Sequence, residues 1–94
     1  MIRHTVHFSG RVQGVGFRYT TVRIGATFDV CGFVENLPDG RVRMVAEGER
    51  QTLDQFVRSV QEQMARYIRN TQIEPTPATG ELGQPSVDRL SVRY

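Results

Sequence analysis

Residues 9–19 read SGRVQGVGFRY, a short polar loop that carries three glycines and closes on one arginine, Arg18. Glycine adopts positive φ angles without a Cβ clash, so Gly14 and Gly16 can turn several backbone N–H groups toward one point. Arg18 would add a permanently charged, fork-shaped set of donors. A helix that began just after the loop would direct the positive end of its dipole to the same place. The segment therefore predicts a cradle for a phosphate group.

The loop fits neither of the common nucleotide-binding fingerprints. Tyr19 stands where the GxGxxG pattern needs its third glycine, and no P-loop Gly-Lys-Ser or Gly-Lys-Thr follows. The glycines alone would be better explained by an ordinary turn between a strand and a helix. Arg18 favours a bound anion, because a cation at the positive end of a helix dipole is otherwise unfavourable. The loop thus indicates phosphate and not a nucleotide.

The elements on either side of the loop can be read from periodicity. Val6 and Phe8 alternate with polar residues, which predicts a half-buried strand that ends at Gly10. Residues 17–28 contain several poor helix formers, so their propensity for the helix that should follow the loop is weak. Apolar spacing still permits that helix, with three residues on its inner stripe: Tyr19, Val22 and Ala26.

A β-hairpin is predicted next, with strands at 30–37 and 41–46 around the Pro-Asp-Gly turn at 38–40. Val42 and Met44 would share one face of its second strand. The opposite face is expected to be solvated and laced with salt bridges among four charged residues: Arg41, Arg43, Glu47 and Glu49.

The second helix is the clearest element, because its apolar residues recur at helical spacing. The stripe consists of Leu53, Phe56, Val57, Val60, Met64, Tyr67 and Ile68. Thr52 and Gln55 form a plausible capping box, although Arg50 or Gln51 could equally begin the helix. Residues 70–76 could form a strand only at a sheet edge, because Pro75 and Pro77 lack amide donors. Residues 79–86 are expected to form a loop, and 87–94 a last edge strand.

Two motifs together resemble the acylphosphatase family. The loop reads GRVQGVGFR over residues 10–18, and Gly-Phe-Val-Glu-Asn at 32–36 precedes the Asp-Gly turn; the similarity runs from about residue 6 to about residue 68. The resemblance implies a ferredoxin-like α+β sandwich of order βαββαβ with a terminal edge strand, and two helices on one face of a mixed or antiparallel sheet. It also implies an enzyme that hydrolyses small acyl phosphates to carboxylate and inorganic phosphate.

The resemblance carries specific roles onto this chain. Arg18 and Asn36 would be the catalytic residues, and the phosphate would be bound by Gln13, Gly14, Val15, Gly16, Phe17 and Arg18. From the residues alone, Asn36 could equally be a strand-ending residue before a turn. Its amide nevertheless suits the implied role, because it offers an acceptor and donors without ionising and can orient a water beside an anion.

No other side chains form a convincing chemical cluster. His4 and His7 with the single Cys31 do not make a credible metal site, so we expect no metal and no cofactor. Both histidines are interpreted as structural or solvated. Cys31 is expected to be a small buried residue and not a nucleophile.

Length and composition limit the alternatives. The 94 residues are expected to form one domain, and twelve arginines with no lysine against ten acids leave a net charge of only +2, mild for a nucleic-acid binder. One cysteine and no long apolar run favour a cytoplasmic protein without a membrane segment. We expect a monomer whose partner is a small acyl phosphate, without nucleic acid. The alternative is a non-catalytic module of the same fold that binds an anion, RNA or a protein.

Overall fold

The computed structural model describes all 94 residues. Two helices and five strands follow one another along the chain: β1 (Ile2–Gly10), α1 (Phe17–Gly25), β2 (Val30–Asn36), β3 (Val42–Gly48), α2 (Arg50–Gln63), β4 (Ile68–Pro77) and β5 (Arg89–Arg93). The predicted order βαββαβ with a terminal strand is confirmed.

The five strands form one mixed sheet in the order β4-β1-β3-β2-β5. β1 pairs antiparallel with β3 and β4, β2 pairs antiparallel with β3, and β5 lies parallel to β2. The turn between β2 and β3 is closed by a hydrogen bond from Leu37 N to Arg41 O at 2.8 Å. This register brings the carboxyl end of β2 and the loop after β1 to the same end of the sheet.

The core lies between the helices and one face of the sheet. Alternate strand residues such as Val6, Phe8, Val34 and Met44 are fully buried there. Helix α2 contributes four buried residues, Leu53, Phe56, Val57 and Val60, and the residue that follows it, Met64, is buried beside them. Burial of these apolar side chains stabilises the sandwich by roughly 1.5–3 kcal/mol for each large side chain.

Helix α1 differs from its prediction in length and in its inner stripe. It ends at Gly25 rather than near residue 28, and its buried residues are Phe17, Thr21 and Gly25, whereas Tyr19 is exposed. A Cβ at Gly25 would lie 2.9 Å from Leu90 Cδ2 and 2.9 Å from Phe56 Cζ. The glycine that weakens the helix by propensity is therefore what lets α1 approach β5 and α2.

Helix α2 begins two residues before the predicted capping box. Its N-cap is Glu49 and no side chain caps it, so the Thr52 box is wrong and the alternative start at Arg50 is correct. The helix ends at Gln63, so the last three residues of the predicted stripe, Met64, Tyr67 and Ile68, lie outside it, although they still pack in or against the core.

The two remaining strands lie at the sheet edges, as predicted. β4 is longer than the expected 70–76, and its prolines at 75 and 77 are accommodated because the strand pairs only with β1. None of the helices is long and apolar enough to cross a membrane.

The predicted salt-bridge partners on β3 are wrong. Arg41 pairs with Asp39 at 2.8 Å and Arg43 with Glu35 at 2.6 Å. Glu47 is buried and pairs instead with Arg3 on β1, while Glu49 is the residue that immediately precedes α2. Cross-strand pairing decides the Arg43–Glu35 and Arg3–Glu47 pairs, whereas Arg41 and Asp39 meet within the turn between β2 and β3.

Candidate functional site

The glycine loop adopts the left-handed conformation that its sequence predicts. Gly14 and Gly16 have φ angles of 77° and 76°, and Gly16 directly precedes the first residue of α1. A Cβ built at either glycine would meet no atom within 4 Å. These glycines are therefore required by backbone conformation and not by close packing.

The loop and the first turn of α1 present a run of free backbone donors. Arg11 N donates to Tyr67 O and Thr20 N donates to Gly16 O, but no amide of residues 12–19 donates to an acceptor of the protein. The first N–H groups of a helix have no partner within the helix, and here the loop amides extend that set. Such a concave run of donors beside a helix N-terminus is suited to an anion.

Arg18 is held at this place by the carboxyl end of the chain. Its Nη1 donates to the carbonyl oxygen of Arg93 at 3.2 Å, and its Cζ lies 5.1 Å from the centre of the Tyr94 ring. The Tyr94 hydroxyl in turn contacts the hydroxyl of Tyr19. Because one N–H group of the guanidinium is engaged by Arg93, its remaining donors are left for a ligand.

A small cleft of about 110 Å³ brings the predicted catalytic residues together. Asn36 is the last residue of β2 and alternates with buried Val34, so its side chain lies on the helix side of the sheet. The cleft is lined by Val12, Gly14, Gly16, Phe17, Arg18, Tyr19 and Asn36. No carboxylate is among these residues, so the charge of Arg18 and the helix dipole are not neutralised inside the cleft.

Two of the predicted loop residues do not line this cleft. The Gln13 side chain donates from Nε2 to Leu37 O at 2.8 Å and to Arg41 O at 3.0 Å. It therefore ties the loop to the β2–β3 turn, which follows Asn36. Val15 is partly buried against the core. Only the backbone amides of these two residues are left for a ligand.

The other singled-out side chains lie away from the cleft. His4 is buried and its Nε2 lies 3.0 Å from Asp54 Oδ1 on α2. His7 lies on the opposite face of the sheet, where burial and the nearby Arg41 and Arg43 lower its pKa. Cys31 is buried, as expected, and burial raises the pKa of its thiol.

Comparison with known proteins decides the family. A family model described as Acylphosphatase matches residues 4–84. The chain belongs to the acylphosphatase family. It is 39% identical over 82 residues to an acylphosphatase of Methanospirillum hungatei JF-1, covering 85% of this chain and 90% of that one. An acylphosphatase of Archaeoglobus fulgidus is 52% identical over 60 residues, covering 64% of this chain and 67% of that one.

The fold is also that of a solved acylphosphatase. The crystal structure of the acylphosphatase from Bacillus subtilis superposes with a TM-score of 0.83 at 29% identity, and the match covers 100% of both chains. The predicted ferredoxin-like α+β fold and the predicted enzyme of the acylphosphatase type are confirmed. The individual roles of Arg18, Asn36 and the loop amides stay predictions.

Sequence reasoning missed Arg93 and Tyr94 as neighbours of the acylphosphatase site. Alternation over 87–94 predicts a strand, but no local signal reveals that this strand runs parallel beside β2. That pairing alone brings the chain end to Arg18. The bracing role of the Gln13 side chain was missed for the same reason, since its acceptors lie on a turn distant in sequence.

Proposed function

We propose that this chain hydrolyses the carboxyl-phosphate bond of small acyl phosphates to a carboxylate and inorganic phosphate. The phosphate is held by Arg18 and by the backbone amides of residues 13–17, and Asn36 orients the attacking water. The observation that carries this proposal is the single cleft in which Arg18, the free amides of the glycine loop and Asn36 meet.

The reaction needs positioning more than it needs acid or base catalysis. Water attacks phosphorus, the bond from phosphorus to the carboxyl oxygen breaks, and the electron pair leaves with the carboxylate. A carboxylate is a good leaving group, so binding the phosphoryl oxygens and aligning the water supply most of the rate enhancement. The proton released by water passes to a phosphate oxygen of the substrate. No protein base is required, which agrees with a cleft that lacks Asp, Glu and His.

Arg18 is suited to the phosphate role because its orientation is fixed by the Arg93 carbonyl and the Tyr94 ring. A guanidinium can contact two phosphoryl oxygens at once and stabilise the charge that they share in the transition state. The loop amides add donors that need no reorganisation when the charge shifts.

Asn36 is suited to the water role by its chemistry and its position. It lines the same cleft as the loop but belongs to a different element, β2, and its carboxamide is neutral. It accepts one hydrogen bond from water and directs a lone pair toward phosphorus without repelling the phosphate dianion.

A cleft of about 110 Å³ encloses little more than the phosphate, so the acyl group extends outside it and small acyl phosphates of varied structure are accepted. No Asp, Glu, His or Cys lines the cleft, so we propose activity without metal or cofactor. We further propose that the chain acts as a monomer in a reducing cytoplasm, where Cys31 stays a thiol.

The alternative function is a non-catalytic module that uses the same cleft to bind an anion, RNA or a protein. The free loop amides and Arg18 would serve it equally well. Asn36 favours the enzyme, because a neutral amide in the same cleft is not needed to hold a phosphate.

Hydrolysis of benzoyl phosphate by the purified chain, with and without a metal chelator, tests the proposal. The expected result is phosphate release in both conditions and competitive inhibition by inorganic phosphate. Clear phosphate binding without hydrolysis would support the binding module. Hydrolysis that the chelator abolishes would overturn the metal-free mechanism.

A further inference from the structure

A second cleft, of about 250 Å³, lies where β1 ends and β4 begins. It is lined by Gly10, Arg11, Arg66, Tyr67, Ile68 and Arg69. The three arginines are exposed, and none of them lies within 4.0 Å of a carboxylate. Three cations therefore share a cleft with no neutralising partner from the protein. We call this set of six residues the arginine cleft.

The backbone beneath the arginine cleft is tightly constructed. Gly10 has a φ of 128°, and a Cβ at this position would lie 2.3 Å from Tyr67 O and 2.7 Å from Arg69 N. Arg11 N donates to Tyr67 O at 2.9 Å, which joins the two segments. The guanidinium of Arg66 also lies 5.8 Å from the centre of the Tyr67 ring. Only a glycine at position 10 thus permits the close approach of the two backbone segments that carry the arginines.

The arginine cleft and the phosphate cleft are lined by consecutive residues of one chain segment. Arg11 lines the first and the next residue, Val12, lines the second. Both clefts lie at the end of the sheet where Gly10 pairs with Ile68 and Asn36 pairs with Val42. A molecule whose phosphate lies on the loop amides would reach the arginines by extending along residues 10–12.

Gathered like charges repel one another, and an anion between them removes that repulsion. We propose that the arginine cleft is a specificity subsite that binds a second anionic group carried by the acyl part of the substrate. The preferred substrates are then acyl phosphates with a carboxylate or a second phosphate on the acyl chain. This inference rests on the proposed hydrolysis of acyl phosphates. A small anion fits better than a nucleic acid, because the basic residues form one cleft of limited volume and not an extended stripe.

Matched pairs of substrates test the subsite. Each pair consists of two benzoyl phosphates, one substituted with a carboxylate and the other with the neutral carboxamide at the same place. The substituent stands at the 3-position of the ring, at the 4-position, or on a two-carbon arm at the 4-position. For at least one pair, kcat/KM is expected to be about 3- to 10-fold higher for the carboxylate, as one or two partly exposed charged contacts would give. The preference should shrink as ionic strength rises.

A double variant with Arg66→Gln and Arg69→Gln should bring that ratio to about 1 while kcat/KM for the carboxamide stays unchanged. The control variant carries Arg50→Gln and Arg58→Gln, which remove the same charge from the surface of α2. It should keep the preference. If both variants lost the carboxylate preference equally, the effect would be one of net charge and the subsite would be overturned. The absence of a carboxylate preference in every pair would also overturn it.

Binding separates a failure of the subsite from a failure of the proposed function. If the wild-type chain hydrolyses none of the compounds, the proposed function fails, and the subsite is judged with the corresponding benzylphosphonates by calorimetry. Tighter binding of the carboxylate, lost in the Arg66/Arg69 double variant, supports the subsite. Equal binding of the carboxylate and the carboxamide overturns it.

Discussion

Arg18 donates a hydrogen bond from Nη1 to the carbonyl oxygen of Arg93, 3.2 Å away and 75 residues later in the chain. The parallel pairing of β5 with β2 places Arg93 opposite Glu35, the residue before Asn36. One strand end therefore lies beside both residues to which we assign roles in hydrolysis. The Arg18 guanidinium contacts both Arg93 and Tyr94.

Tyr94→Ala should weaken substrate binding, because it removes the ring on which the Arg18 guanidinium rests. An exposed cation–π contact contributes roughly 0.5–1 kcal/mol, so KM for benzoyl phosphate should rise about 2- to 5-fold. Tyr94→Phe is the matched control: it keeps the ring, loses only the contact with the Tyr19 hydroxyl, and should retain a KM near that of the wild type. An unchanged KM in both variants would contradict the support that we ascribe to the ring.

The sequence predicts the local parts of this site but not the parts that meet across the fold. The glycines at 14 and 16 indicate a turned loop, because their special conformation is a property of single residues. The support of Arg18 by Arg93 depends on the pairing of two strands that lie far apart in sequence, and alternation cannot specify that pairing. The stripe of α1 was misplaced because Gly25 is buried by packing, which propensity does not report.

Gln13→Ala should destabilise the loop and lower activity indirectly. The Gln13 side chain donates to Leu37 O at 2.8 Å and to Arg41 O at 3.0 Å. Loss of two partly buried hydrogen bonds should reduce the free energy of unfolding by about 1–3 kcal/mol. Urea denaturation measures this loss, and hydrogen exchange should show faster exchange than in the wild type for the Leu37 amide, which donates to Arg41 O in the turn that Gln13 contacts. Gln13→Glu should not rescue, because a carboxylate would face two carbonyl oxygens; stability equal to the wild type in either variant would contradict the bracing role.

Glu47 is the most enclosed charged group of the chain and holds the loop before β5 in place. It is 2% exposed and accepts hydrogen bonds from Arg3 Nε at 2.8 Å, Thr79 N at 2.9 Å and Gly80 N at 3.1 Å. Burial alone would raise the pKa of Glu47, but the hydrogen bonds from Thr79, Arg3 and Gly80 together lower it below its usual value of 4.5. The ionised form is therefore the form that the fold stabilises.

Glu47→Gln should reduce the free energy of unfolding at neutral pH by about 2–4 kcal/mol, because an amide cannot replace the charge opposite Arg3. In the wild type, the contribution of Glu47 to the free energy of unfolding depends on pH. The folded pKa is lowered, so the unfolded chain binds the proton more readily, and the stabilisation is present above pH 4.5 and is lost as pH falls through the folded pKa. The free energy of unfolding, measured by denaturation between pH 7 and pH 3, should thus fall less steeply with pH for Glu47→Gln than for the wild type. Parallel curves for the two proteins would show that Glu47 does not carry this dependence.

Arg18→Ala should remove most phosphate binding while the fold persists. The loop amides alone would remain, and loss of a charge-assisted contact of this kind should cost about 2–5 kcal/mol of binding free energy. Lysine should rescue poorly, since a point charge cannot reproduce the fork of the guanidinium or its contact with Arg93 O. The inhibition constant of inorganic phosphate measures the effect, with circular dichroism as the check on folding. Wild-type inhibition by phosphate in Arg18→Ala would remove Arg18 from the site.

Asn36→Ala distinguishes an enzyme from a binding module. If the Asn36 amide orients water and does not touch the phosphate, the inhibition constant of inorganic phosphate should stay nearly unchanged. Turnover of benzoyl phosphate should fall by about 10²- to 10³-fold, by analogy with the loss of one preorganised polar group at a reacting centre. Asn36 ends β2 and is exposed, so truncation of its side chain should leave the free energy of unfolding within about 0.5 kcal/mol of the wild type.

Asn36→Asp supplies the sharper comparison, because it keeps the size of the side chain and changes its charge. At neutral pH the carboxylate would share a small cleft with the bound dianion, so phosphate affinity should fall as well as turnover. As the pH is lowered toward the ordinary range of an aspartate, near 4, protonation should bring the phosphate affinity of Asn36→Asp closer to that of the wild type measured at the same pH. An unchanged kcat in Asn36→Ala would remove the residue from the mechanism, and equal loss of phosphate affinity in both variants would instead make it a phosphate ligand.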